Sequence, residues 1–228
     1  MPADAVADAP GPSADGHPGA LLDIDGTLLD TNWLHTVAWW RAFRTCGLTI
    51  PMARIHRLVG MGGDRLVPTA AGREVDGAED AYADEFEGLR DQVVRLPGAQ
   101  ELIAALDGAG LRVVLASSAR QSDLDHFRAV IDMDDVLAGA TSSGDVDESK
   151  PSREIFDVAL DRFALDRSRT LVVGDTGWDG EAAERAGLRF VGVETGGWTA
   201  ADLRDAGAVA VYADAAALAE DVSAVVSP

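Results

Sequence analysis

The sequence predicts an α/β fold in which a parallel sheet is covered by helices on both faces. Two observations predict it. Apolar runs typical of buried strands alternate with helical segments from residue 97 onward, and an earlier apolar run stops at a turn of Asp and Gly residues. Strands that alternate with helices need crossover connections, which make the strands parallel. Such sheets bind ligands at the carboxyl ends of their strands.

The first strand is the apolar run that ends in Asp-Ile-Asp-Gly-Thr at residues 23–27. Alternate residues of an extended chain point the same way, so Asp23 and Asp25 are expected to face one pocket. Two carboxylates this close need a cation or a proton between them. An EF-hand loop also begins Asp-x-Asp, but it requires Gly at position 6 and Glu at position 12. Those positions hold Leu28 and Leu34, which excludes a calcium loop.

The following segment, residues 31–96, is predicted to be helical throughout. Apolar residues recur at helical spacing over 32–47, and Gly47 ends that helix. A helical stretch after Pro51, a glycine-rich turn over 60–64 and an acidic helix over 76–95 complete the segment. A Pro-Gly pair that breaks regular structure follows.

The rest of the chain supplies the alternating elements. We expect helices at 99–109, 121–130, 152–163 and 179–186, a C-terminal helix, and strands at 111–116, 136–140, 170–173, 189–193 and 209–212. Residues 1–19 are rich in Ala, Asp, Pro and Gly and are expected to form a disordered tail.

The composition excludes several classes of partner. A net charge of −20 disfavours nucleic acids and anionic membranes, both of which attract basic surfaces. No apolar stretch is long enough to span a bilayer. The single cysteine, Cys46, permits no internal disulfide, which predicts a reducing, cytoplasmic location. We expect a monomer.

Polar residues follow the predicted strands. Ser117 and Ser118 come after the strand at 111–116, and Asp175 and Asp179 come after the strand at 170–173. Taken singly, these residues could be helix caps and first-turn acids. If the strands are neighbours, however, one pocket collects all of them with the first two carboxylates.

Lys150 joins this set from the loop before the helix at 152–163. It is the only lysine among the 19 basic residues, which suggests that a compact charge is needed there. Carboxylates with one lysine form a site for a hard cation and a phosphate. Oxygen ligands without His or Cys favour Mg²⁺ over zinc.

These motifs, in this order over residues 20–194, resemble those of the haloacid dehalogenase superfamily. A Thr-Gly-Gly-Trp segment at 195–198 is similar to its phosphatase branch, which includes phosphoglycolate phosphatases. The resemblance implies a Rossmann-like parallel sheet core formed by residues 20–30 and 97–228. It also implies an inserted all-helical cap domain formed by residues 31–96.

The resemblance also implies the roles of the motif residues. Asp23 would be the nucleophile that forms an aspartyl-phosphate, and Asp25 would be the general acid and base. Mg²⁺ would be held by Asp23, the Asp25 backbone carbonyl, Asp175 and Asp179, and phosphate by Thr27, Ser117, Ser118 and Lys150. An acid at position 25 favours phosphoesters over halides, because a halide leaving group needs no proton.

The cap would choose the substrate through its glycine-rich turn. Candidate substrate contacts are Arg57, Gly62, Asp64, Arg65 and Trp178, although Trp178 could instead pack between core and cap. The expected function is Mg²⁺-dependent hydrolysis of a small phosphorylated metabolite in the cytosol. Two alternatives stay open: a sugar phosphomutase similar to β-phosphoglucomutase, and a non-catalytic protein that binds phosphate or metal.

Overall fold

The computed structural model of the protein describes residues 16–226. The expected disordered tail lies outside the described residues as far as residue 15. For residues 17–19 the prediction of a disordered tail is wrong, because strand β1 runs over His17–Leu22. The backbone N–H of His17 donates to the Ala164 carbonyl, and Gly19 pairs with Thr170 of a neighbouring strand. Pairing with that strand therefore extends β1 beyond the apolar run that predicted it.

Six parallel strands form one sheet, as predicted. Besides β1, they are β2 (Arg112–Ala116), β3 (Gly139–Thr141), β4 (Leu165–Gly174), β5 (Arg189–Val193) and β6 (Ala208–Tyr212). Their order across the sheet is β3-β2-β1-β4-β5-β6. Leu22 of β1 pairs with Val173 of β4. The residues that follow these two strands therefore emerge side by side.

Helices cover both faces of the sheet. They are α5 (Ala99–Gly108), α6 (Gln121–Ile131), α7 (Glu154–Arg162), α8 (Gly177–Ala186), α9 (Ala200–Asp205), α10 (Ala215–Glu220) and α11 (Val222–Val226). Leu22 packs in one hydrophobic cluster with α5, α6, α10 and α11. Leu21 packs in another with α7, α8 and α9. Alternate strand residues thus fill two separate layers.

Four helices between β1 and α5 form a third layer. They are α1 (Asn32–Thr45), α2 (Met52–His56), α3 (Gly63–Ala71) and α4 (Ala78–Glu87). They bury a cluster of their own that includes Phe43, Ile55 and Leu66. The chain enters and leaves this layer at adjacent points, since the Asp30 N–H donates to the Val94 carbonyl at 2.9 Å. We retain 31–96 as the proposed extent of the cap.

Several element boundaries differ from the prediction. The acidic helix expected over 76–95 ends at Glu87, and a short 3-10 turn follows at Arg90–Gln92. Strand β4 is ten residues long because Leu165, which precedes the expected strand, already pairs with His17 of β1. Strand β3 lies at 139–141 and not at 136–140. Helix α9 was not expected, although Thr199 caps it by accepting the Asp202 N–H.

Within residues 16–226, no helix combines the length and the apolar character needed to cross a lipid bilayer.

Candidate active site

A cavity of about 260 Å³ lies between the carboxyl end of the sheet and the cap helices. Asp23 and Asp25 both contribute to its wall. The chain turns sharply after β1, because the Ile24 carbonyl accepts three successive N–H groups from residues 27–29. Gly26 allows this turn, since its φ of 76° lies in the left-handed region that favours glycine. The first motif thus presents two carboxylates to one cavity.

Lys150 is the cation of the site. Its side chain is fully buried, and its Nζ lies 2.5 Å from Asp23 Oδ1 and 2.8 Å from Asp179 Oδ1. The ammonium also donates to the Ala116 carbonyl at 3.0 Å. Burial alone would lower the pKa of Lys150, but the Asp179 and Asp23 carboxylates raise it above its ordinary value. The lysine is therefore held in its charged form.

Three buried carboxylates form a cluster, and two of them, Asp23 and Asp179, contact this lysine. Oxygen atoms of Asp23, Asp175 and Asp179 all lie within 4.8 Å of one another. Burial raises the pKa of Asp23 to about 8, with Lys150 opposing and Asp179 adding to the shift. Burial and the neighbouring carboxylates also raise the pKa of Asp175 well above its ordinary value.

This excess of negative charge fits a divalent cation. One ammonium contacts two of the three buried carboxylates, and the raised pKa values of Asp23 and Asp175 show that the negative charge is not fully balanced. All three ligands are oxygen atoms, the donor type that Mg²⁺ prefers. The residues therefore fit Mg²⁺.

Asp175 is held in place by two donors. Thr27 Oγ1 donates to its Oδ1 at 2.9 Å, and Asn32 Nδ2 donates to its Oδ2 at 2.8 Å. Thr27 is fully buried and its hydroxyl binds Asp175, and its contact with phosphate stays a prediction. Asp179 is held by Thr176, whose hydroxyl donates to its Oδ2 at 2.6 Å.

The predicted phosphate-binding serines lie beyond the end of β2 but differ in exposure. Ser117 is fully buried, and its hydroxyl accepts the Ala119 N–H at 3.0 Å. Ser118 contributes to the cavity wall, and its hydroxyl donates to the Gly60 carbonyl at 3.4 Å. Their phosphate contacts stay predictions.

Asp25 has a different set of partners from Asp23. Its Oδ1 accepts from Thr31 Oγ1 at 2.6 Å and lies 2.8 Å from His35 Nε2. His35 Nδ1 in turn lies 2.7 Å from the Tyr82 hydroxyl. Burial would raise the pKa of Asp25, but His35 and Thr31 outweigh it and lower that pKa below its ordinary value. The start of helix α1 thus supplies both partners of the second carboxylate, and α4 supplies the partner of His35.

The sequence analysis missed these cap residues. Thr31 immediately precedes α1 and His35 lies in its first turn, four positions later, and this spacing is a signal that the sequence contains. Tyr82 and Asn32 carry no such signal, because their contacts join segments far apart in the chain.

The predicted substrate contacts divide into two groups. Gly62 and Asp64 lie on the cavity wall, together with Glu79 and Arg120, which were not predicted. Asp64 also joins the cap to the core, since its carboxylate accepts the Ser149 N–H at 3.2 Å.

Arg57, Arg65 and Trp178 do not lie on the cavity wall, and their substrate contacts stay predictions. The Arg57 guanidinium stacks 3.6 Å from the centre of the Trp198 ring. Trp178 Nε1 donates to the Arg57 carbonyl at 3.0 Å. This contact agrees with the alternative that Trp178 packs between core and cap. Arg65 pairs with the exposed Glu148 at 2.6 Å.

Comparisons with known proteins agree with this architecture. A family model for haloacid dehalogenase-like hydrolases matches residues 18–187. An uncharacterized Lacticaseibacillus casei protein, from the fgs 3' region, is 32% identical over 183 residues, which cover 75% of this chain and 81% of that protein. A phosphoglycolate phosphatase of Nitrosospira multiformis is 28% identical over 181 residues, which cover 73% of this chain and 78% of that protein.

A solved structure is also similar. The crystal structure of a hydrolase from Pseudomonas syringae matches with a TM-score of 0.86 and 29% sequence identity. The match covers 92% of this chain and 99% of that chain. It therefore includes both the sheet and the helical layer above it.

Proposed function

The chain belongs to the haloacid dehalogenase-like hydrolases, and on that premise we propose that it is a Mg²⁺-dependent phosphatase of a small cytosolic metabolite. One observation carries the proposal. The buried Lys150–Asp23 ion pair and the hydrogen-bonded Asp25 meet at the same cavity, beside two further buried carboxylates. The Nitrosospira relative that carries the name phosphoglycolate phosphatase supports the reaction class.

Asp23 is the nucleophile in this proposal. Mg²⁺, held by Asp23, Asp175, Asp179 and the Asp25 carbonyl, would offset the repulsion between a carboxylate and a dianionic phosphate and lower the proton affinity of Asp23. Lys150 supplies a second positive charge from 2.5 Å away. An Asp23 oxygen forms a bond to phosphorus while the bond between phosphorus and the alcohol oxygen breaks. The product is an aspartyl-phosphate.

Asp25 moves the protons of both steps. It gives a proton to the departing alcohol oxygen, then takes one from the water whose oxygen attacks the aspartyl-phosphate. Cleavage of the bond between phosphorus and Asp23 releases inorganic phosphate and restores both residues. The hydrogen bonds of Asp25 to Thr31 and His35 fall on Oδ1, which leaves Oδ2 for the substrate.

Asp25 takes up the proton that it needs as an acid when the substrate binds. The pKa of Asp25 lies below its ordinary value, so the carboxyl group is ionised before the substrate arrives. A bound phosphate adds negative charge to the cavity and raises the proton affinity of Asp25. His35 Nε2 lies 2.8 Å from Asp25 Oδ1 and its Nδ1 lies 2.7 Å from the Tyr82 hydroxyl, so these contacts orient the carboxyl group during both steps.

The test is phosphate release from a panel of phosphomonoesters, including sugar phosphates and phosphoglycolate, with and without Mg²⁺. We expect metal-dependent release, its loss in Asp23→Asn, and its retention in Asp30→Asn. Asp30 is the matched control, because it is an exposed carboxylate in the same segment and lies off the cavity wall.

Other outcomes would redirect or overturn the proposal. Undiminished turnover by Asp23→Asn would show that Asp23 is not the nucleophile. Isomer formation without free phosphate would identify a phosphomutase. Binding of Mg²⁺ without turnover of any ester would point to the non-catalytic alternative.

A further inference from the structure

The first turn of helix α1 directs its side chains at the catalytic carboxylates. Thr31, the residue that precedes the helix, makes no side-chain bond to the helix and instead donates to Asp25. Asn32, the first helical residue, donates to Asp175. Residues at these positions commonly satisfy the free N–H groups of their own helix. Here they stabilise groups in the core.

The side-chain amide of Asn32 is oriented so that its nitrogen donates hydrogen bonds. Asn32 is 4% exposed, and its Nδ2 lies 2.8 Å from Asp175 Oδ2 and 3.3 Å from the Gly196 carbonyl. Both neighbours are acceptors, so the opposite orientation would set oxygen against oxygen. Asn32 Oδ1 is buried and has no hydrogen-bond partner among residues 16–226. A buried acceptor without a partner is costly, which indicates that contact with Asp175 is what keeps the amide here.

Two glycines enclose the pair of side chains. A Cβ atom at Gly196 would lie 1.6 Å from Asp175 Oδ2, and one at Gly26 would lie 2.4 Å from Asn32 Nδ2. The carboxylate therefore has little freedom to turn. Each oxygen of the Asp175 carboxylate accepts one hydrogen bond, Oδ1 from Thr27 and Oδ2 from Asn32. A carboxylate accepts at about four positions, so room remains for a metal ion.

We propose that Asn32 is a positioning residue that orients Asp175 for Mg²⁺ and couples metal binding to helix α1 of the cap. The inference rests on the proposed function, because it assumes that Asp175 is a metal ligand. Partners that orient metal ligands commonly contribute about 10- to 100-fold to metal affinity or activity. Coupling of this kind is reciprocal, so bound Mg²⁺ also stabilises the first turn of α1.

Calorimetric titration with Mg²⁺ alone tests the first part. Asn32→Leu has a similar volume and no donor, and we expect it to bind Mg²⁺ at least tenfold more weakly than the parent. Asn32→Ala is the second variant, should leucine prevent folding. Thr36→Val is the matched control: it removes a buried hydroxyl that donates to the Asn32 carbonyl at 2.8 Å and lies one turn further along α1.

Steady-state kinetics separates positioning from a general structural defect. Asn32→Leu should need at least tenfold more Mg²⁺ for half-maximal activity, while its kcat at saturating Mg²⁺ stays within about twofold of the parent. Hydrogen exchange should show that Mg²⁺ protects the first-turn amides of α1 in the parent and in Thr36→Val. That protection should be lost in Asn32→Leu.

The outcomes are distinguishable. Equal Mg²⁺ affinity in parent and Asn32→Leu would overturn the inference and leave the proposed function intact. An equal loss in Thr36→Val would also overturn it, because the effect would then come from the helix and not from the amide. If the parent bound no Mg²⁺ at all, the metal site would fail and the inference with it.

Discussion

Replacement of Lys150 by methionine tests whether its ammonium balances the buried carboxylates. The side chain is fully buried and contacts Asp23 at 2.5 Å and Asp179 at 2.8 Å. Methionine is similar in length and carries no charge, so Lys150→Met leaves both carboxylates in place without their cation. We expect a large loss of stability that depends on pH.

The size of the loss follows from these distances. With an effective dielectric constant of about 20, each contact gives about 6 kcal/mol of Coulomb attraction, most of which offsets the desolvation of the ammonium. Removal of one partner from a buried pair typically costs about 3–5 kcal/mol. For a chain of this length, that loss corresponds to a melting temperature about 6–20 °C lower.

The dependence on pH has a definite sign. The unfolded chain ionises Asp23 near the ordinary pKa of 3.8, whereas burial raises the pKa in the folded parent to about 8. The folded state binds more protons between these values, so its stability falls as the pH rises through this window. Loss of the Lys150 ammonium should raise the carboxylate pKa values further. The deficit of Lys150→Met should therefore be larger at pH 8 than at pH 5.

Urea unfolding of parent and Lys150→Met at pH 5 and pH 8, without Mg²⁺, measures both quantities. Arg153→Met is the matched control, because it removes a half-exposed cation whose pair with Asp157 is worth less than about 1 kcal/mol. A loss in Lys150→Met no larger than that of the control would refute the charge-balance argument. So would a loss that is greater at pH 5 than at pH 8.

Three further predictions concern the catalytic carboxylates. Asp25→Asn should lower kcat about 10²- to 10⁴-fold for alkyl esters, and rapid-quench kinetics should show less effect on the phosphorylation step with 4-nitrophenyl phosphate, whose leaving group needs no proton. Gly196→Ala should weaken Mg²⁺ binding in calorimetry, because its Cβ would lie 1.6 Å from Asp175 Oδ2; Gly144→Ala, whose Cβ would meet only Ser142 Oγ at 3.6 Å, should bind like the parent. The pKa of Asp23 is raised to about 8 without metal, so Mg²⁺ binding should release protons and its affinity should rise with pH up to about 8. Calorimetric heats that are the same in buffers of different ionisation enthalpy would contradict this prediction.

The core of the site could be predicted from the sequence because parallel strands end at one edge of a sheet. Asp23 follows β1 and Asp175 follows β4, and these strands are neighbours in the structure. Apolar runs ending in Asp or Ser were therefore enough to gather the motif residues. The same logic failed for the first half of β4, because charged residues there, such as Asp166 and Arg169, interrupt the apolar run that signals a strand.

The partners of the motif residues could not be predicted, because they depend on how the cap lies against the core. Asn32 and Asp175 are 143 positions apart, and their contact follows from the docking of α1 beside the Gly196 loop. Arg57 illustrates the converse. Its position near the glycine-rich turn suggested a substrate contact, yet an aromatic ring and Asp202 bind its guanidinium outside the cavity. Residue type alone does not distinguish these two environments.

The cap therefore has two separable tasks. The first turn of α1 supplies Thr31, Asn32 and His35 to the carboxylates of the core, whereas Gly62 and Asp64 approach the cavity from the loop and helix beyond it. Changes in the first group act on groups that every phosphomonoester would meet. Changes in the second group alter the cavity wall, and those at Asp64 also remove its contact with Ser149. In the proposed function, the cap thus acts on catalysis through α1 and on the choice of substrate through the loop and helix beyond it.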